Sequence, residues 1–153
     1  GPDCAFAIGC YYAWKKPVWC ITGDAGFGYT AMELETAARY NMPMIIQVHN
    51  NNGWGSMEPH IWGTPQEKHC MFGKNLRYDK VMEGLGGKGI YVTKSAEVRP
   101  AIDEAYDWMV KNSKPVVLNI QSGIEYWNAG PPGTPKFNDY RGRAEPGVMS
   151  YSC

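Results

Sequence analysis

Four short apolar runs, Val18–Thr22, Met44–His49, Ile90–Val92 and Pro115–Ile120, punctuate the chain. They are continuous rather than alternating, the pattern of strands buried on both faces. Helical stretches lie around them. Cys4–Trp14 reads as a helix whose Ala5, Ala7, Gly9 and Ala13 permit close packing, ended by Lys15-Lys16-Pro17. A second helix spans about Thr30–Tyr40, with Met32, Leu34, Ala37 and Ala38 on its buried side and Asn41-Met42-Pro43 closing it. Arg77–Leu85 forms a third, stopped by Gly86-Gly87. Ser95 caps a fourth that runs to about Asn112, with Glu97 and Val98 in its first turn. The order α-β-α-β-loop-α-β-α-β predicts an α/β fold, a parallel sheet with helices on both faces.

Two stretches have no period. Residues 50–76 are rich in Gly, Pro, His and Trp, and a loop of that length in a compact domain is usually functional. From Gly123 onward the chain carries Pro131, Pro132, Pro135 and Pro146 among its glycines, together with Tyr126, Trp127, Phe137, Tyr140 and Tyr151. The expectation is a domain over residues 1–121 followed by an extended irregular C-terminal arm over 122–153. Its aromatic content points to docking on a surface outside this domain.

At 153 residues the chain can build one real core. Apolar residues make up 44% and charged residues 20%, with a formal net charge of zero, so a nucleic-acid-binding surface is not expected. No run is long enough to span a bilayer and no basic-then-apolar leader opens the chain, which predicts no membrane association. The five cysteines are scattered, without a CxxC pair. That pattern excludes a zinc ribbon or redox motif and fits a reducing, cytoplasmic compartment.

The chemistry concentrates at two strand ends. Val18–Thr22 delivers Gly23-Asp24-Ala25-Gly26, and Met44–His49 delivers Asn50-Asn51-Asn52-Gly53. Successive parallel strands would bring both clusters to one carboxyl edge. Magnesium prefers oxygen ligands in octahedral array and takes only one or two carboxylates, leaving positions for phosphate and water. Asp24, the Asn51 side chain and the Gly53 carbonyl meet that demand, while the N–H groups of Ala25 and Gly26 would face phosphates near a helix start. Either half alone is only a turn or a loop; each placed after its own strand, they point to a divalent cation holding a diphosphate.

The same residues contain a second pattern. Gly26-Phe27-Gly28-Tyr29-Thr30-Ala31 matches the GxGxxA dinucleotide fingerprint. Against it, Asp24 would repel a bare pyrophosphate, and the second strand ends in His49-Asn50 without the acidic residue expected for ribose hydroxyls. Of the three histidines, His60 and His69 have no recognised ligand spacing and read as polar loop residues. His49 is best placed to reach a bound cofactor. Met32, Met42, Met44, Met82 and Met109 read as core filling, and Arg77, Asp79 and Lys80 as a solvated helix start.

Gly23-Asp24 through Asn50-Asn51, with Asn51 twenty-seven positions after Asp24, resembles the signature of thiamine diphosphate-dependent enzymes. The likeness extends over Phe27–Thr36, Arg39–Pro43, Arg77-Tyr78-Asp79 and Gly86–Gly89, and these resemble oxalyl-CoA decarboxylase and 2-hydroxyacyl-CoA lyase. Ala25 replaces the usual motif glycine, a change found among members acting on acyl-CoA. The resemblance covers roughly residues 1–121.

What the resemblance implies is a cofactor, thiamine diphosphate with Mg2+, that serves as electron sink for carbon–carbon cleavage or decarboxylation. Carried over, the metal ligands are Asp24, Asn51 and the Gly53 carbonyl; the cofactor-binding set is Asp24, Ala25, Gly26, Asn51, Gly53 and Trp54. No catalytic residue is assigned. The glutamate that activates the aminopyrimidine belongs to another domain or subunit, which is the expected partner in a homo- or hetero-oligomer. Family members also carry more of this same domain before a segment like Gly1-Pro2-Asp3, so it is expected to be incomplete at its N-terminal side. The expected activity is that of a lyase or decarboxylase on an acyl-CoA or 2-oxo acid substrate, with the domain alone inactive. The alternatives are an acetolactate synthase-like carboligase and a non-catalytic assembly subunit. Trp54, Trp62 and His60 are candidates for substrate selectivity.

Overall fold

The computed structural model describes residues 1–54, 65 and 67–122. Four parallel strands, β1 (Val18–Gly23), β2 (Met44–Asn50), β3 (Lys88–Val92) and β4 (Val116–Gln121), form one sheet in the order β1-β2-β4-β3. The helices are α1 (Asp3–Trp14), α2 (Asp24–Thr30), α3 (Leu34–Arg39), α4 (Glu67–Cys70), α5 (Tyr78–Gly84) and α6 (Ser95–Asn112), with a 3-10 turn at Ala31–Glu33 between α2 and α3. The parallel sheet covered on both faces is the expected architecture. The C-terminal arm, together with His60 and Trp62, lies outside the described residues.

Two apolar layers sandwich the sheet. On one face Met44, Ile46, Val48 and Val117 meet Cys4 and Ala7 of α1, Phe27 of α2, Leu34 and Ala37 of α3, and Met82 of α5. On the other, Ile45, Val116, Leu118 and Val92 meet Ala101, Ala105 and Met109 of α6. Strands β2 and β4 are central, and their unbroken apolar runs follow from burial on both sides.

Four local expectations change, the first being Met32, which is 67% exposed rather than core filling. The helix expected from Thr30 begins at Asp24, immediately after β1, and is broken by the 3-10 turn. The cap of α6 is Lys94, and Glu97 reaches back to accept from the Lys94 N–H at 3.3 Å; Ser95 is the first helical residue. The small residues Ala5, Gly9 and Ala13 of α1 face outward, so only Ala7 among them enters the core. The stop after α5 is as expected: Gly86 adopts φ 89° and the Gly87 N–H donates to the Met82 carbonyl at 3.0 Å.

Strand β1 is an edge that α6 does not cover, since α6 lies across β3, β4 and β2. Trp19 and Ile21 consequently stay exposed on it, Ile21 at 65%. Phe6 and Trp14 are likewise exposed on the outer side of α1. Among the described residues no helix is long and apolar enough to cross a membrane.

Candidate functional site

The register of β1 on β2 pairs Gly23 with His49, so the two strands end level and their following residues meet at the carboxyl edge. Asp24, the first residue of α2, is 1% exposed. One carboxylate oxygen accepts from the Ala25 N–H at 2.7 Å and the other from the Gly53 N–H at 2.9 Å. These bonds tie the start of α2 to the turn after β2. Burial holds the Asp24 carboxyl above the usual carboxylate range, against the opposing pull of the Ala25 and Gly53 N–H groups.

Asn51 reaches the same point. With its amide nitrogen turned inward, it donates to the Gly53 carbonyl oxygen at 2.8 Å and to Asp24 Oδ1 at 3.3 Å. With the amide oxygen turned inward, Asp24 Oδ1, Asn51 Oδ1 and Gly53 O converge as three acceptors with no proton among them. Such a cluster repels itself unless a hard cation sits against it, and one carboxylate with two neutral oxygens is a donor set of the kind Mg2+ takes. Among the described residues no group of three or more His, Cys, Asp or Glu forms a metal-binding cluster. The residues therefore fit a magnesium–phosphate site rather than an all-protein metal cage.

The site opens into a cleft of about 460 Å³, whose walls include Asp3, Thr22, Ala25, Gly26, Asn51 and Trp54. The volume is in the range of small-ligand sites. Among the described residues its charged side chains are Asp3, which accepts from the Thr22 hydroxyl at 2.8 Å, and Asp24, and no lysine or arginine lines it. A phosphate entering this cleft meets the Asp3 and Asp24 carboxylates, which favours entry together with a cation. Ala25 and Gly26 lie in the first turn of α2. The Ala25 N–H is engaged by Asp24, whereas Gly26, as a first-turn residue, has no intrahelical acceptor for its N–H. Trp54 stacks edge-on against Tyr29 at 5.7 Å, and its N–H donates to the Cys70 carbonyl at 2.9 Å.

The dinucleotide fingerprint is overturned. Its glycines must shape the loop between strand and helix, but here the strand ends at Gly23 and Gly26 and Gly28 are already helical. His49 also departs from expectation: it is exposed, beside Gln47, and does not line the cleft. His69 is an exposed residue of α4.

Sequence reasoning missed the supports of the site. Asn50 is fully buried; its Oδ1 accepts from the Asn52 N–H at 3.3 Å and its Nδ2 donates to the Leu76 carbonyl at 3.0 Å. The two asparagines thus divide the work, Asn50 shaping the turn and Asn51 facing the cleft. Asp79, expected in a solvated helix start, is 1% exposed and bonded by Arg77 at 2.6 Å. Burial alone would raise its carboxyl, but the Arg77 guanidinium and the Asn119 amide outweigh it and hold Asp79 below the usual carboxylate range. A lowered folded-state value contributes stability that is complete above the unfolded value, about 3.9, and is lost as pH falls through the folded one. Arg77→Gln should therefore lower the melting temperature at pH 7, with the difference from wild type shrinking below about pH 4. Thermal melts between pH 3 and 7 check this; a constant difference would remove the ion pair as its cause.

Fold and cleft define an α/β domain with a polar pocket at the carboxyl ends of two adjacent parallel strands. The chain belongs to the thiamine pyrophosphate enzymes: residues 1–120 match the family's C-terminal TPP binding domain. Its cofactor is thus thiamine diphosphate, which this family typically uses with a divalent ion such as Mg2+. Over 113 residues, 67% of the chain, it is 35% identical to 2-hydroxyacyl-CoA lyase 1 of Mus musculus, of which it covers 19%. Over 123 residues, 78% of the chain, it is 32% identical to oxalyl-CoA decarboxylase of Escherichia coli strain K12, covering 21% of that protein. A probable acetolactate synthase of Mycobacterium bovis is 32% identical over 114 residues, 69% of the chain and 19% of the relative. The chain spans about a fifth of the length of these curated relatives.

Proposed function

We propose that this chain is the Mg2+- and diphosphate-anchoring part of a thiamine diphosphate-dependent carbon–carbon lyase or decarboxylase acting on a 2-hydroxyacyl-CoA or oxalyl-CoA-like substrate. The observation that carries the reading is the meeting of Asp24, Asn51 and the Gly53 carbonyl in a cleft that the described residues wall with carboxylates and with no basic side chain. In this reading Asp24 supplies the anionic ligand, and Asn51 Oδ1 and the Gly53 carbonyl the neutral ones. Ala25, Gly26 and Trp54 line the diphosphate path. When bound, thiamine diphosphate provides the electron sink for bond cleavage. The residues here hold and orient it, a contribution of position rather than of proton transfer.

The acyl-CoA preference is supported by the names of the mouse and Escherichia coli relatives. A carboligase of the acetolactate type is the second reading, favoured by the Mycobacterium bovis relative. The exposed apolar surface of α1, with Phe6 and Trp14, together with the open β1 edge at Trp19 and Ile21, suits the docking of the domain that carries the aminopyrimidine-binding glutamate. The chain alone is expected to be inactive. Combined with that partner, thiamine diphosphate and Mg2+, it should cleave a 2-hydroxyacyl-CoA or decarboxylate oxalyl-CoA. Acetolactate formed from pyruvate, with acyl-CoA left intact, would select the carboligase; turnover undiminished without thiamine diphosphate would defeat both.

A further inference from the structure

The turn bearing Asn51 and Gly53 rests on a circuit of side chains that cofactor anchoring does not itself use, satisfied among the described residues except at the buried Asn119 Oδ1. The Leu76 carbonyl, which accepts from Asn50, accepts also from Asn119 Nδ2 at 2.9 Å, and that nitrogen reaches Asp79 Oδ1 at 3.2 Å. Arg77, bonded to Asp79, lies over the Tyr91 ring at 4.5 Å from its centroid. The Tyr91 hydroxyl donates to Gln121 Oε1 at 3.4 Å, and Gln121 Nε2 returns to the Asn50 carbonyl at 3.0 Å. Strand ends of β2, β3 and β4 are thereby tied to the start of α5.

Burying Asn50, Asp79 and Asn119 among apolar strands costs desolvation, and apolar residues of similar volume would stabilise the fold as well or better. What a polar circuit supplies instead is direction. Both lone pairs of the Leu76 carbonyl are taken by amides from two different strands, and the Arg77–Asp79 pair fixes the backbone just beyond it. That carbonyl sets the Asn50 side chain, whose oxygen in turn holds the Asn52 N–H and so the shape of the turn.

We propose that Asp79 and Asn119 are positioning residues for the 51–54 turn, acting through the Leu76 carbonyl and Asn50. Their functional meaning rests on the reading of that turn as the cation site, but the coupling itself is testable without a cation. Amide hydrogen exchange of the full 153-residue chain should be followed at Gly53 and Trp54, and at Val48 and Leu118 in the sheet. Asp79→Ala should accelerate the two turn amides at least about tenfold relative to the two sheet amides. Asp79→Asn, which keeps an acceptor for Asn119 but weakens the hold on Arg77, should give about threefold, and it carries the test if the alanine variant does not fold. Equal acceleration at all four amides, or none in the turn, would overturn the proposal by reducing Asp79 to general support. In wild type, Mg2+ with thiamine diphosphate should slow the turn amides. If it does not while the variants behave as expected, the cation reading fails and the positioning role stands.

Discussion

Asp24→Ala is expected to abolish Mg2+-dependent binding of thiamine diphosphate, lowering affinity at least about a hundredfold. Two unit charges about 4 Å apart at an effective dielectric of about 20 attract by roughly 4 kcal/mol, and a divalent ion by more. Each 1.4 kcal/mol is a factor of about ten, so a hundredfold loss is a low bound. Asn51→Ala removes a neutral oxygen and should weaken binding less; equal losses would mean that the ligand roles are misassigned. The fold should survive the change at Asp24. A buried carboxyl whose folded value is raised above the unfolded one favours the fold only while protonated, so its ionisation as pH rises is a cost to the cation-free domain. Asp24→Asn removes that cost but keeps only one of the two acceptors used by the Ala25 and Gly53 N–H groups, so it should melt near wild type at pH 7 without Mg2+, while losing cofactor affinity like the alanine variant. A melting temperature well below wild type for the asparagine variant would show that Asp24 is chiefly a structural acceptor for the Ala25 and Gly53 N–H groups.

Gly53→Ala should be the most damaging small change in the turn. Segment 52–54 pairs with 70–72: Gly53 bridges Met71, the Trp54 N–H donates to Cys70 and the Phe72 N–H to Asn52. A Cβ on Gly53 would strike the Cys70 carbonyl oxygen and lie 3.3 Å from the Met71 Cα, backbone atoms that cannot swing aside. Relieving the overlap separates the two segments and moves the Gly53 carbonyl away from Asp24 and Asn51. A stability loss of about 1–3 kcal/mol is expected from overpacking of this kind. Cofactor affinity should fall at least about tenfold, equivalent to about 1.4 kcal/mol. Chemical denaturation and calorimetry on the same protein check the two parts; an unchanged affinity would place the Gly53 carbonyl outside the ligand set.

Much of the fold was legible because its central strands carry one signal. Met44-Ile45-Ile46 and Val116-Val117-Leu118 are apolar without alternation, and both are buried on each face. The edge was not legible: Val18-Trp19-Cys20-Ile21 shows the same continuity, yet no helix of the described residues covers Trp19 and Ile21. Local composition cannot report where a helix falls short. The start of α2 was missed because Gly26 and Gly28 read as loop residues, although Gly23 N-caps a helix that begins at the functional aspartate. Asp24, Asn51 and Gly53 were found through strand ends, and the register of β1 on β2 brings them together. Their supports escaped notice because Asp79 stands in a polar stretch, where nothing in the sequence separates a buried carboxylate from a solvated one. Asn119 did leave a trace. A lone amide within Val-Val-Leu-Asn-Ile must find a partner if the strand is buried, and the start of α5 supplies it.

Diphosphate entry into this cleft is expected to depend on a cation held by Asp24, Asn51 and Gly53. Its most direct test is calorimetric titration of the chain with thiamine diphosphate, first in excess Mg2+ and then in EDTA. Saturable binding with Mg2+, weakened at least about a hundredfold by the chelator, is the expected result, since the described residues line the cleft with carboxylates and no basic side chain and so repel the bare diphosphate. Equal affinity in Mg2+ and EDTA, or no binding in either, would contradict it.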